Sequence, residues 1–329
     1  MTEGRILKTP LFQSKTSVIP KKDIRALDTT IVSYLSQVNP ESLLKTLQGM
    51  QDLGTRFCLA PNRKEVAMWI QNKFIEVGIP NVELDSFQII SQWPFGTGSF
   101  DTTWQYNVVA TISGTEHPDQ IYIVGGHYDD IVYPEGDPFI TCPGADDNAS
   151  STAASIEMAR IMKLKNFASP VTVKFIAFGA EELGKHGGLD YARKASLSNQ
   201  DIRMMINNDM IGNCSASGNW SVNLQNYEGC ENVTNLAKYI CANYTSLTPI
   251  DVNVNNGGSD SYPFWAYGYQ TIFLQENEFS PSYHSVNDVV ANINAPYCAE
   301  IVKLGFGMLL EAISRPQVVD FAVHSGQNN

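Results

Sequence analysis

The chain has 329 residues, 43% of them hydrophobic, with 22 Lys+Arg against 34 Asp+Glu for a formal charge of -12. That is ample material for a large buried core, so a chain disordered along its length is excluded. An acidic chain repels phosphate backbones and anionic lipid surfaces, which argues against nucleic acid and membrane as partners.

Residues 1–39 read as an N-terminal arm, with a basic, Thr/Ser/Pro-containing opening that ends at the apolar run Ile31 to Leu35; no apolar signal-peptide core is visible in it. Residues 40–329 read as one domain. Leu43, Leu44, Leu47 and Met50 have helical spacing, and a second amphipathic helix is predicted over Asn62 to Val77, stopped by Gly78 and Pro80. The period then changes, predicting strands at Val82 to Ile90, Tyr106 to Ile112 and Gln120 to Val124. A helix follows at Ser150 to Leu164 and an apolar strand at Val171 to Phe178. Further strands are predicted at Arg203 to Ile206, Trp220 to Leu224 and Thr271 to Leu274, with helices at Glu231 to Tyr244, Tyr262 to Tyr267 and Pro296 to Ser314. This alternation implies a single α/β domain: a central mixed, mostly parallel sheet with helices on both faces. The most apolar C-terminal stretch, Ile301 to Ile313, carries Lys303 and Glu311 and is shorter than the roughly 18 to 20 residues that span a bilayer. The six cysteines are scattered without a C-x-x-C pair, which excludes a zinc-finger or thioredoxin-type motif and leaves buried thiols and disulfides both open.

In a sheet of this kind ligands bind beyond the carboxyl ends of the strands. Those positions hold His127-Tyr128-Asp129-Asp130, then Asp146-Asp147-Asn148, Glu181-Glu182, Asp209 and Tyr283-His284. Each has an ordinary explanation alone: Asp146-Asp147-Asn148 suits the N-terminus of the helix that follows. Five such clusters, each after a predicted strand, point instead to a metal site. Two histidines and three carboxylates suit two zinc-type ions, with one imidazole and one carboxylate on each and one carboxylate shared. Of the adjacent glutamates, one can bind metal while the other faces the bridging water as a base. Asp129, two residues after His127, is positioned to accept the other imidazole N–H.

The series Gly126-His127-Tyr128-Asp129, Pro143 to Ser150, Ala180-Glu181-Glu182-Leu183-Gly184, Asn208-Asp209-Met210 and Tyr283-His284-Ser285 resembles the co-catalytic dizinc exopeptidases. That family includes bacterial leucyl aminopeptidase, plasma glutamate carboxypeptidase and, more distantly, glutaminyl cyclase; the resemblance runs from about Gln48 to Ser314. It implies a zinc-dependent exopeptidase domain with two Zn2+ ions and a peptide substrate. His127 and Asp209 would hold one ion, Glu182 and His284 the other, with Asp147 bridging. Glu181 would be the general acid/base for a dizinc-activated hydroxide, and Asp129 the residue that orients His127. Asp288 would orient His284, and Ser259 would hydrogen-bond Asp209.

Ser151 departs from the glycine common there in the family, which puts close backbone packing at that point in doubt. The absence of an arginine pair at a strand end, with Arg56 and Arg63 unplaced, tilts the reading from carboxypeptidase or dipeptidase toward aminopeptidase. Glutaminyl cyclase, a single-zinc transferase, is the alternative reaction on this fold. Analogy with exported exopeptidases points to a secreted or periplasmic protein. Trp93, Phe95, Tyr133, Phe279 and Tyr283 are aromatic candidates for the walls of a specificity pocket.

Overall fold

The computed structural model describes residues 28–215, 218–254 and 257–314. Its elements are α1 (Thr29–Leu35), α2 (Pro40–Gln51), α3 (Arg63–Glu76), β1 (Asn81–Trp93), β2 (Ser99–Ile112), β3 (His117–His127), α4 (Ser150–Leu164), β4 (Val171–Phe178), α5 (His186–Leu197), β5 (Asp201–Asn208), β6 (Ser221–Asn226), α6 (Glu231–Tyr244), β7 (Thr248–Asn253), α7 (Ser261–Ala266), β8 (Thr271–Glu276) and α8 (Ala295–Ser314). The strands form one eight-stranded sheet in the order β1-β2-β4-β3-β5-β8-β6-β7. Its centre, β4-β3-β5-β8, is parallel, whereas β1/β2, β2/β4 and β6/β8 pair antiparallel.

Alternation along the central strands sends side chains to two separate cores. Val108, Ala110, Tyr122, Val124, Phe175 and Ala177 face the larger one, with residues of α1–α4, α6 and α8. Val109, Ile121, Ile123, Ile176 and Phe178 face the smaller one, with Tyr191 of α5 and Phe264 of α7. The fold is thus the expected three-layer arrangement, and the sheet's centre is buried on both faces.

Of the expected arm, residues 1–27 lie outside those described. The remainder packs on the domain: Asp28 caps α1 through its side chain, and Ile31, Tyr34 and Leu35 enter the main core. Three elements were not anticipated from the sequence: α1, which lies in the segment read as the arm; α5, which opens on His186-Gly187-Gly188; and β7, a polar edge strand paired with β6. Among the described residues no helix is long and apolar enough to cross a membrane. Cys58, Cys142, Cys230, Cys241 and Cys298 are buried free thiols.

Candidate metal centre

The centre is built where the parallel strands end. β3 ends on His127, β4 leads through Gly179 and Ala180 to Glu181 and Glu182, β5 leads to Asp209, and the segment after β8 brings His284 back. Between β3 and α4 a single wide turn, Ala145–Ala149, carries Asp147 with extended rather than helical backbone. Gly144, at φ 39°, makes this turn possible: a Cβ there would stand 2.3 Å from the Asp130 carboxylate and 2.4 Å from the Asp147 carbonyl. Three non-glycine residues in the left-handed region, Ala180, Met210 and His284, lie at or beside the cluster, so local strain is concentrated there.

Asp147 stands between the two histidines. Its Oδ1 is 3.4 Å from His127 Nε2, and its Oδ2 is 3.3 Å from His284 Nε2. His127 Nε2 also lies 3.4 Å from Asp209 Oδ2 and 4.0 Å from Glu181 Oε2, while His284 Nε2 lies 3.0 Å from Glu182 Oε2. The structure therefore brings all six predicted residues together, in two half-sites that share one carboxylate.

The residues fit a metal. Two donors, each about 2.0–2.1 Å from a tetrahedral zinc ion, stand about 3.3 Å apart, which is the spacing of most of these imidazole–carboxylate pairs. Donor atoms of His127, Asp147 and Glu182 all lie within 4.8 Å of one another. Glu182 Oε1 and His284 Nε2 are buried without a hydrogen-bond partner among the described residues. Four carboxylates converge, and no lysine or arginine forms an ion pair with them among the described residues. Burial pushes the Glu181 carboxyl up to about 7, with Asp209 and Asp129 adding to the rise and His127 opposing it. Burial likewise pushes Glu182 well up, with Asp147 adding to the rise. Burial acts on Asp147 in the same sense, but its contacts with His127 and His284 outweigh it and hold that carboxyl below the usual range.

The supporting residues differ from the sequence expectation in three places. His127 Nδ1 meets the main-chain carbonyl of Asp129 at 3.0 Å, and the Asp129 carboxylate is 3.7 Å away. That carboxylate accepts the amides of Glu181 (2.9 Å) and Glu182 (3.3 Å), so Asp129 positions the β4 loop with its side chain and the imidazole with its backbone. Asp288 does not reach His284; its two oxygens accept the amides of Asp146 and Asp147, each at 2.9 Å, where they fix the wide turn. Among the described residues Ser259 Oγ is buried without a hydrogen-bond partner and makes no bond to Asp209. The closeness at Ser151 is borne by Gly126, where a Cβ would stand 2.2 Å from Ser151 Oγ.

Arg56 and Arg63 are both occupied by main-chain carbonyls. Arg56, buried to 1% exposure, donates to Tyr128 (2.8 Å), Pro143 (2.7 Å) and Gly144 (2.6 Å), and so ties the His127 loop to the Asp147 turn. Arg63 donates to Trp104 and Ala60. Glu276 was missed as well. It is the last residue of β8, and its carboxyl accepts the amides of Asn213 (2.6 Å) and Ser280 (2.9 Å), joining the loops that carry Asp209 and His284. Inspecting the residues just past the predicted strand Thr271 to Leu274 would have found it.

Beside the cluster lies a cavity of about 240 Å³ lined by Met210, Gln225, Phe273, Gln275, Phe279 and Tyr283. Tyr283 also stacks on the His284 imidazole, with ring centroids 3.6 Å apart. Of the aromatics noted in the sequence, Phe279 and Tyr283 line this cavity. Trp93 and Tyr133 line a different cleft together with Phe139, and Phe95 packs edge-on against both.

An α/β sheet with imidazoles and carboxylates gathered at the ends of its parallel strands is the frame of a metal-dependent hydrolase. Residues 107–305 match the model of peptidase family M28, and the chain belongs to that family. It is a zinc metallopeptidase. A probable leucine aminopeptidase of Trichophyton verrucosum is 25% identical over 306 residues, which span 89% of this chain and 76% of the relative. The aminopeptidase of Aneurinibacillus sp. strain AM-1 superposes with a TM-score of 0.70 at 16% identity, covering 90% of this chain and 98% of that one. Glutaminyl cyclase of Bacteroides thetaiotaomicron superposes with a TM-score of 0.65 at 16% identity, covering 83% and 97%. At these identities the two structures establish a shared fold.

Proposed function

We propose that the chain is an aminopeptidase that holds two zinc ions, one between His127 and Asp209, the other between His284 and Glu182, with Asp147 shared. The observation that carries this reading is the Asp147 carboxylate, whose two oxygens face two different imidazoles at 3.4 and 3.3 Å. When bound, such ions polarise a peptide carbonyl and bring the pKa of water toward neutrality.

The Glu181 carboxylate stands 4.0 Å from His127 Nε2 and lines the open cavity. From there it takes the proton of the attacking water and delivers it to the leaving amine. Asp129 holds the amides of Glu181 and Glu182, which keeps the acid/base and the adjacent carboxylate in fixed relation. The carboxylates of Glu181 and Asp209 face the cavity and suit the ammonium group of a peptide N-terminus. Among the described residues no lysine or arginine lines that cavity, and Arg56 and Arg63 are spent on carbonyls, which disfavours binding of a C-terminal carboxylate. Export, as a secreted or periplasmic enzyme, is part of the same proposal; it rests on the analogy with exported exopeptidases, with which the charge of -12 is compatible.

The test is hydrolysis of aminoacyl para-nitroanilides with and without a chelator. Chelator-sensitive release of the aniline, restored by zinc, is the expected result. Release of ammonia from glutaminyl peptides with no hydrolysis of any anilide would replace aminopeptidase with cyclase.

A further inference from the structure

The cavity beside the metal cluster has a floor that is polar without being charged. β6 and β8 pair antiparallel with Gln225 opposite Phe273 and Asn223 opposite Gln275. Side chains opposite one another share a face, so Gln225, Phe273 and Gln275 line the cavity while Leu224 and Leu274 fill the main core behind them. The walls are carbon and sulfur: Met210, Phe273, Phe279 and the Tyr283 ring. Among the described residues the only charged side chains lining the cavity are those of the metal cluster. Among the described residues nothing there offers a lysine or arginine side chain a separate counter-charge, and nothing cationic awaits an acidic one.

Gln225 Nε2 donates to Gln275 Oε1. That bond uses one donor and one acceptor. It leaves Gln225 Oε1 as an acceptor, and it leaves Gln275 Nε2 as a donor whose bond to the Met210 sulfur, at 4.0 Å, is a weak one. Exchanging O and N in both amides reverses the roles but again leaves one donor and one acceptor. The floor therefore presents a neutral pair of hydrogen-bonding groups on an otherwise apolar pocket. A leucyl side chain entering it would expel water from both groups and pair neither. A primary amide satisfies both in one plane.

Resting on the aminopeptidase reading, we propose that this pocket selects peptides whose N-terminal residue is asparagine or glutamine, with Gln225 and Gln275 as the specificity-determining residues. The experiment compares kcat/KM of the zinc-loaded full chain for asparaginyl, glutaminyl, leucyl and lysyl para-nitroanilides. The asparaginyl substrate is one methylene too short to close a pyroglutamyl ring, so it reports hydrolysis alone. The amide substrates are expected to exceed the leucyl one by at least about tenfold, and Gln275→Leu and Gln225→Met to reverse that order, with leucyl turnover rising. A wild-type preference for leucyl or lysyl substrate, or a ratio unmoved in both variants, would overturn the specificity proposal and leave the aminopeptidase reading standing. Hydrolysis of none of the four would overturn the aminopeptidase reading and the specificity with it.

Discussion

Two buried acidic sites in this molecule are built on opposite plans. Glu157 of α4, 2% exposed, is fully matched: Arg160 donates to both oxygens at 2.7 and 2.6 Å, Asn39 N donates at 2.9 Å and Ser42 Oγ at 2.8 Å. The cluster of Asp147, Glu181, Glu182 and Asp209 has neither lysine nor arginine paired to it among the described residues, and Glu182 Oε1 is left without a partner. A carboxylate that joins helices is satisfied by the chain itself. One that awaits a cation is left open, and the surrounding backbone holds it there through the Asp129 and Asp288 carboxylates and the Arg56 guanidinium.

Each side of this contrast can be broken separately. Glu181→Gln is expected to lower kcat by about 10²–10⁴-fold while zinc content by elemental analysis stays at the wild-type level, since the base is removed and the ligand set is not. Equal activity in that variant would take the acid/base role away from Glu181. Next in size is metal removal. Chelation leaves converging carboxylates uncompensated, and a ligand at 1,000 times its Kd contributes about 4 kcal/mol, so the thermal midpoint should drop and return when zinc is added back. A midpoint indifferent to chelator would show that the cluster needs no cation. Glu157→Gln should do the reverse of Glu181→Gln, costing roughly 2 kcal/mol in denaturant unfolding as α2 loosens from α4, with kcat/KM unchanged.

The smallest effect concerns Glu300 of α8, which binds the amide and hydroxyl of Ser246 and the Lys303 ammonium. Burial raises its pKa, but these partners outweigh it and hold the carboxyl below its ordinary value. A depressed folded-state pKa contributes stability above the unfolded value of 4.5 that is lost as pH falls through the folded value. Glu300→Gln should therefore cost about 0.5 kcal/mol at pH 7 and nothing at a pH below both values. An equal cost at both pH values would assign the effect to packing.

Much of this was legible in the sequence where a single physical signal dominated. α4, β4 and α6 begin and end at the predicted residues because long runs of one period leave no competing reading. β7 was invisible: Thr-Pro-Ile-Asp-Val-Asn is polar because the strand lies at an edge with little to bury, and proline speaks against a strand. α5 was hidden by two glycines in its first turn, where Gly187 packs against the Gly179 backbone. At the site, the clusters that hold His127, Asp147, Glu181, Glu182, Asp209 and His284 could be picked out because strand ends converge in any such sheet, whereas the choice of Asp147 over Asp146 and of Glu181 as the base came only from the family resemblance. The partners of Asp129 and Asp288 could not, since they depend on which loop amide comes within hydrogen-bond reach, and spacing along one segment carries no such information. Arg56 was unreadable for the same reason, its three carbonyl partners lying 72 to 88 residues away.

The central claim is that one carboxylate serves two cations. The direct measurement is zinc per chain by elemental analysis of purified wild type and Asp147→Asn, side by side. About two ions in the wild type, with occupancy of both falling together in the variant, is the predicted result. One ion in the wild type, or loss of a single ion in the variant, would contradict it.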